Sequence, residues 1–341
     1  MSDTGNGLAG SFNDDLLRLE EIFLPSFFYK KMQYYFSSSG LISNDVLFVH
    51  YTSAESAFSI IRNKRANMCN AVHMSDYREV QNGFNFMDDF VSKKNKHWVK
   101  FGNIIEEFLP GVFDRSIKVY NDYSRGAKDN LYFLSVSEHD ESENELGRLS
   151  MWRVFGGQSN HVAIVLRIPA LSVVSQALGI SFNPVLYAEK DQYYYELDEV
   201  IKNVKNNEFF LKRLSPDLVV NAIVSMILVN VFCIKHKGFQ EEREWRCIYL
   251  PECGLPEFSS QLIESGEDEI AGFSQKICKM PLDSAIHPML SAIDFCKMFD
   301  SLIIGPSECP DSMYEAFCRE LTNIGVLEAE SKVRVSGIPV R

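Results

Sequence analysis

Two acids one residue apart, Glu242 and Glu244, stand between a charged approach, Lys235-His236-Lys237-Gly238-Phe239-Gln240-Glu241, and an apolar run, Trp245-Arg246-Cys247-Ile248-Tyr249-Leu250. The run has the aromatic and branched composition of a buried strand, so Glu244 is expected at a strand end, where its neighbours fix its direction. If strand alternation extends back through Arg243, Glu242 and Glu244 project to the same face and form one wall of a cleft. Carboxylates that close perturb each other's ionisation, which suits acid–base or charge-stabilising chemistry. Taken alone, the run fits a solvated strand edge better, with Arg243 and Arg246 merely pairing with the acids.

Two other polar sets sit on expected strands with the same alternation: His50-Tyr51-Thr52 and Ser135-Val136-Ser137. An imidazole and a threonine hydroxyl can hydrogen-bond ribose hydroxyls, a serine pair can buttress the site, and a carboxylate can stabilise an oxocarbenium-like ribose. Together they suit cleavage of the N-glycosidic bond of NAD, where nicotinamide leaves as positive charge builds on the sugar. In that reading Glu244 is the key carboxylate and Glu242 orients or deprotonates an acceptor. His50 anchors the ribose, Tyr51 is a stacking surface and Lys235 meets the pyrophosphate. Each has a structural counterpart: a core histidine, edge-strand hydroxyls, or a lysine balancing a helix end.

The order of these three sets resembles the signature of the ADP-ribosyltransferase superfamily: a His or Arg on the first strand, a Ser-Thr-Ser-like strand, and an acidic Gln/Glu-x-Glu. More specifically, the chain resembles the bacterial family DUF2971. The segments that carry this resemblance are His50-Tyr51-Thr52-Ser53, Ser75-Asp76-Tyr77-Arg78-Glu79, Phe133-Leu134-Ser135-Val136-Ser137, Met151-Trp152, Lys235-His236-x-x-Phe239-x-x-Glu242-x-Glu244-Trp245-Arg246, Ile303-Ile304-Gly305-Pro306 and Val335-Ser336-Gly337-Ile338-Pro339-Val340-Arg341. They run through residues 46–341. The family usually has Asn-Asp where this chain has Ser75-Asp76. The superfamily resemblance implies an α+β fold in which small mixed or antiparallel sheets form a cleft surrounded by helices. It also implies NAD as substrate and, by analogy at that level alone, a bacterial toxin or a part of phage defence.

The elements that must position these residues are partly legible. Asp14 to Phe36 has helical spacing broken at Pro25, and residues 1–45 are expected as a helical amino-terminal extension to a single α+β domain over 46–341. Strands are expected at Val46–Thr52, Asn130–Ser137, His161–Ile168, Val185–Tyr187, Glu244–Tyr249, Ser301–Pro306 and Val333–Ser336. Helices are expected at Ala54–Asn63 capped by Ser53, Met74–Phe90, within Trp98–Tyr123, from Leu149 to Phe155, through most of Asp191–Val231, and at Asp311–Ile324. The stretch from about Leu250 to Pro288 is unpatterned.

The chain has 341 residues, 46% apolar and 23% charged, which is enough to bury a substantial core. Its net charge of −12 disfavours wrapping nucleic acid over the whole surface, and the acidic loop Glu138–Glu145 would repel phosphates nearby. That loop lacks the turn glycine of a calcium loop and is expected to be solvated. The eight cysteines have no zinc-ligand spacing and look like reduced core residues. With no signal-like start and only a short, interrupted apolar run at Leu218–Ile234, a cytoplasmic protein that avoids the membrane is expected.

Two other functions use the same residues. One is a nucleotide- or signal-binding module that performs no chemistry. The other is a metal-dependent nuclease or phosphodiesterase built on His50, Asp76, Glu242 and Glu244. The acceptor of any ADP-ribosyl group (protein, nucleic acid, small molecule or water) is left open. So is whether the amino-terminal helices cover a cleft or join two copies of the chain.

Overall fold

The computed structural model describes residues 5–35, 46–73, 95–155, 160–168, 178–251, 259–270 and 273–339. The chain divides into two compact units, each assembled from three separate segments. One takes Met1–Tyr34, Ser75–Lys128 and Leu186–Gly238; the other takes Tyr35–Met74, Asp129–Val185 and Phe239–Arg341.

The first unit is helical. Helices Gly5–Phe23 and Ser26–Tyr35 are separated at Pro25, whose missing N–H cannot continue the ladder. The first packs against helices Lys190–Asn206 and Pro216–Phe232. Arg213 holds Asp15 at 3.0 Å, and the Glu196 carboxylate accepts from Ser26 Oγ at 2.7 Å and from the Phe27 backbone N–H. Of the residues expected as an extension, Met1–Tyr34 belong to this helical unit together with two later segments of the chain. Pro216–Phe232 begins at an N-cap serine, Ser215, and is apolar nearly all round, as befits the helix at the centre of this unit's core. Among the described residues no helix is long and apolar enough to cross a membrane.

Among the described residues there are twelve strands: β1 (Leu47–Ser53), β2 (Arg65–Asn70), β3 (Tyr132–His139), β4 (His161–Leu166), β5 (Ser181–Pro184), β6 (Leu186–Tyr187), β7 (Ile234–Lys235), β8 (Glu244–Tyr249), β9 (Glu264–Ile270), β10 (Phe273–Pro281), β11 (Phe299–Ile304) and β12 (Val333–Val335). Only β6 and β7, a short parallel pair, belong to the helical unit. The other ten form one sheet in the order β12-β11-β4-β1-β3-β2-β10-β9, with β8 also on β3 and β5 on β8. All its pairings are antiparallel except β11–β12. The α+β class holds, but this unit is one large sheet where small separate sheets were expected.

The sheet forks at β3. Along one edge β3 pairs with β8 from Tyr132 to Ser137. Along the other it pairs with β2 at Tyr132–Phe133 and with β1 at Ser137–His139, so the two partners diverge around Ser135. Helix Ala54–Asn63 follows β1 directly, and Ser53 Oγ accepts from the Ser56 N–H as its N-cap. Helix Leu149–Phe155 lies over the face carrying Val49, Tyr51, Ala163 and Val165, through Met151 and Trp152. On the opposite face Trp245 is fully buried among Tyr35, Phe48 and Phe182, and its Nε1 donates to Glu138 Oε1 at 2.7 Å. Trp245 thereby anchors the strand on which Glu244 is the first residue.

Candidate functional site

The register of β3 and β8 sets Ser137 opposite Glu244 and Ser135 opposite Arg246, and directly paired residues share a face. Ser135 Oγ donates to Glu244 Oε1 at 2.6 Å. Arg246 Nε donates to the same oxygen at 2.8 Å, and its Nη2 donates to Oε2 at 3.1 Å. The guanidinium also lies over the Phe133 ring, 5.5 Å from its centroid. Glu244 is 4% exposed and Arg246 2%, so the pair is withdrawn from water, and Ser135, half-buried, is the more open member. A buried ion pair fastened by bidentate and hydroxyl hydrogen bonds gives the carboxylate one fixed orientation.

Glu242 does not join Glu244 by strand alternation. It lies in a 3-10 turn spanning Lys237–Glu242, and Arg243 has a left-handed backbone with φ 45°. That reversal breaks the alternation before β8 begins, so the expected acid pair on one face is corrected to a single buried carboxylate, Glu244.

His50 is also corrected. Val49 pairs with Ser137, which places Val49 and Tyr51 on the face of Ser135 and Glu244, and turns His50 and Thr52 to the other face. His50 Nδ1 instead reaches the Ser135 backbone carbonyl at 3.0 Å, at the fork where β1 and β2 diverge. A carbonyl only accepts, so Nδ1 carries the proton and the ring supplies a hydrogen bond where the strand ladder is interrupted. Around it lies an apolar pocket whose walls include Ile60, Leu134, Val136, Phe182 and Cys247. Burial pushes the imidazole below its ordinary pKa, opposed in part by the bond to Ser135, and it pushes the Cys247 thiol up to about 12.

A histidine kept neutral by folding favours the folded state above its ordinary pKa of about 6.5, and this contribution is lost as pH falls below that value. His50→Gln is therefore expected to flatten the decline of melting temperature between roughly pH 6.5 and 5. Parallel thermal melts of both proteins over that range check this, and an unchanged slope would refute it.

Tyr51 shares the Glu244 face but is no stacking platform. It is buried edge-on against Trp152, and its hydroxyl accepts from the Arg148 N–H at 2.8 Å. Trp152 is core, as expected from its spacing. Thr52 pairs with Val162 on the His50 face. Lys235 is buried in the helical unit, on β7 opposite Tyr187. Ser75, Asp76 and Glu79, the Met74–Phe90 helix and Cys253 lie outside the described residues. Among the described residues no group of three His, Cys, Asp or Glu side chains is spaced to hold a metal ion.

Two residues passed over in the sequence belong to this site. Asn183 on β5 lies directly opposite Arg246, hence on the same face, and is 5% exposed. Arg148, 6% exposed, grips the turn that delivers Glu244: it donates to the carbonyls of Glu138, Glu241 and Glu242 and to both carboxylate oxygens of Glu143. Glu143 is also paired with Arg243. The acidic loop is therefore not simply solvated. It contains a 3-10 turn with an Asp140 capping box, and Glu143 points inward. Burial alone would raise the Glu143 carboxyl pKa, but the hydrogen bonds and charge of Arg148, with Arg243, hold it below the usual value.

No curated protein and no solved structure matches the chain. One family does: the model described as a protein of unknown function, DUF2971, matches residues 151–247, a span that carries Trp152, Asn183, Glu244 and Arg246.

Proposed function

We propose that the Ser135–Glu244–Arg246 cluster is the ribose-facing centre of an enzyme that cleaves NAD at the nicotinamide–ribose bond and passes ADP-ribose to an acceptor or to water. The observation that carries this reading is the 2.6 Å hydrogen bond from Ser135 to a carboxylate that Arg246 holds by both oxygens. An oriented carboxylate in a dry site stabilises developing positive charge more than a mobile one in water, because no reorganisation is needed when the charge appears. Glu244 is the stabilising carboxylate in this reading, and Ser135 and Arg246 position it. His50 takes no direct part, because its ring lies on the other sheet face.

A second reading follows from the burial of Glu244 and the engagement of both its oxygens: the cluster holds a nucleotide and does no chemistry. Nicotinamide release from NAD by the full chain separates the two, measured beside Glu244→Gln and Ser135→Ala after circular dichroism has established that both fold. Release that requires Glu244 is the expected result. Absence of release, together with saturable NAD binding that survives Glu244→Gln, would overturn catalysis in favour of binding. Labelled NAD offered with a cell extract shows whether ADP-ribose stays on protein or nucleic acid.

A further inference from the structure

We infer that Asn183 is a ligand-recognition residue whose amide N–H group binds an uncharged hydrogen-bond acceptor on a nucleoside lying across β3, β8 and β5. The ligand class rests on the nucleotide reading above; the role of the amide rests on its own geometry. Asn183 is 95% buried by its 5% exposure, and its Nδ2 has no hydrogen-bond partner among the described residues. A buried donor without a partner is a net cost to folding, since the hydrogen bond it made to water is not replaced. Yet the side chain lies among polar groups, opposite Arg246 and on the face of Glu244 and Ser135.

The layout says what such a donor can recognise. Ser135 and Asn183 sit on the two strands flanking β8, both opposite Arg246, so their backbones are roughly 10 Å apart across two strand spacings. That distance matches a sugar with an attached base better than a single small group. Ser135 Oγ spends its proton on Glu244 and keeps lone pairs to accept from a ligand hydroxyl. Asn183 supplies the complementary donor at the far end. The Glu244–Arg246 pair beside it is neutral overall and gives no net attraction to an ion, so the acceptor is a neutral carbonyl, hydroxyl or ring nitrogen. Phe182 and Pro184, the neighbours of Asn183 on β5, turn to the other face, where Phe182 stacks on Trp245, and this fixes which way the amide points.

The test compares Asn183→Leu and Asn183→Asp with the unaltered full chain in thermal melts, each with and without NAD. Leucine keeps the volume and removes the donor; aspartate keeps the shape and replaces the donor with an acceptor. Without ligand, Asn183→Leu is expected to melt at the same temperature or higher. Both variants are expected to lose the NAD-induced shift of the unaltered chain, with NAD affinity about tenfold weaker or worse. A lower melting temperature for Asn183→Leu without ligand would overturn the inference, since it would show that the amide serves the fold. A full NAD-induced shift in either variant would overturn it as well. If NAD fails to shift the unaltered chain, the NAD reading falls; the Asn183 role is then supported by a leucine variant at least as stable as the parent and refuted by a less stable one.

Discussion

Glu244→Ala is expected to destabilise the fold by about 3–5 kcal/mol, because it strands the Arg246 guanidinium, 2% exposed, without its counter-charge. The double substitution Glu244→Leu with Arg246→Met is expected to be close to neutral, or even stabilising, since it removes both members of a buried ion pair together. Urea unfolding of the full chain, followed by circular dichroism, measures both against the parent. If the double variant were as unstable as the single one, the pair would be no coupled ionic unit, and the orientation argument for Glu244 would lose its basis. A stable but inactive double variant would instead mark an ion pair maintained for function at the expense of stability.

Arg148→Met has an expected cost of similar size, about 3–5 kcal/mol, for a different reason. The guanidinium binds three backbone carbonyls and both oxygens of Glu143, and methionine leaves these acceptors in place without their donor. It also has a signature in pH. The Glu143 carboxyl is held below its usual pKa in the folded chain, so it adds stability above the ordinary value that is lost as pH falls through the depressed one. Without Arg148 most of that acid-side dependence should vanish. Unfolding of both proteins at neutral and at strongly acidic pH checks this, and parallel acid-side curves would count against it.

Glu244 to Tyr249 and Ala54 to Asn63 were legible residue for residue, because a dense apolar run and a serine cap are local signals. The strands around His161, Ser301 and Val333 were placed to within a few residues for the same reason. β2, with Asn67 and Asn70, and the acid-rich β9 beside β10 went unread, since polar or edge strands lack a continuous apolar run.

The site was half legible. Ser135 and Glu244, expected in one site with their strand pairing left open, are hydrogen-bonded across 109 residues, whereas His50, expected beside them, lies on the other face. Alternation shows which residues within a strand point together, but the relation between two strands depends on their register, and a slip of one residue reverses it. Nothing near His50 reveals that Val49, its neighbour, pairs with Ser137. Arg243 was a similar obstacle, because a left-handed residue inside a charged run carries no glycine to announce it. Asn183 and Arg148 are single polar residues outside any motif, and their places opposite Arg246 and under the Glu241–Glu242 turn are set by segments far along the chain, so neither has a local signal.

The segmented build of the sheet unit bears on synthesis. Strands β1 to β3 leave the ribosome well before β8, and the chain makes the last helices of the other unit in between. A nascent chain that has just produced Ser135 has neither the carboxylate nor the guanidinium that complete the cluster, and the sheet then still lacks β9 to β12. Non-local pairing of this kind is slow to form and waits for its last strands. Whatever the cluster does, it does only once β8 has been made, so products that stop short of Arg246 are inert by construction.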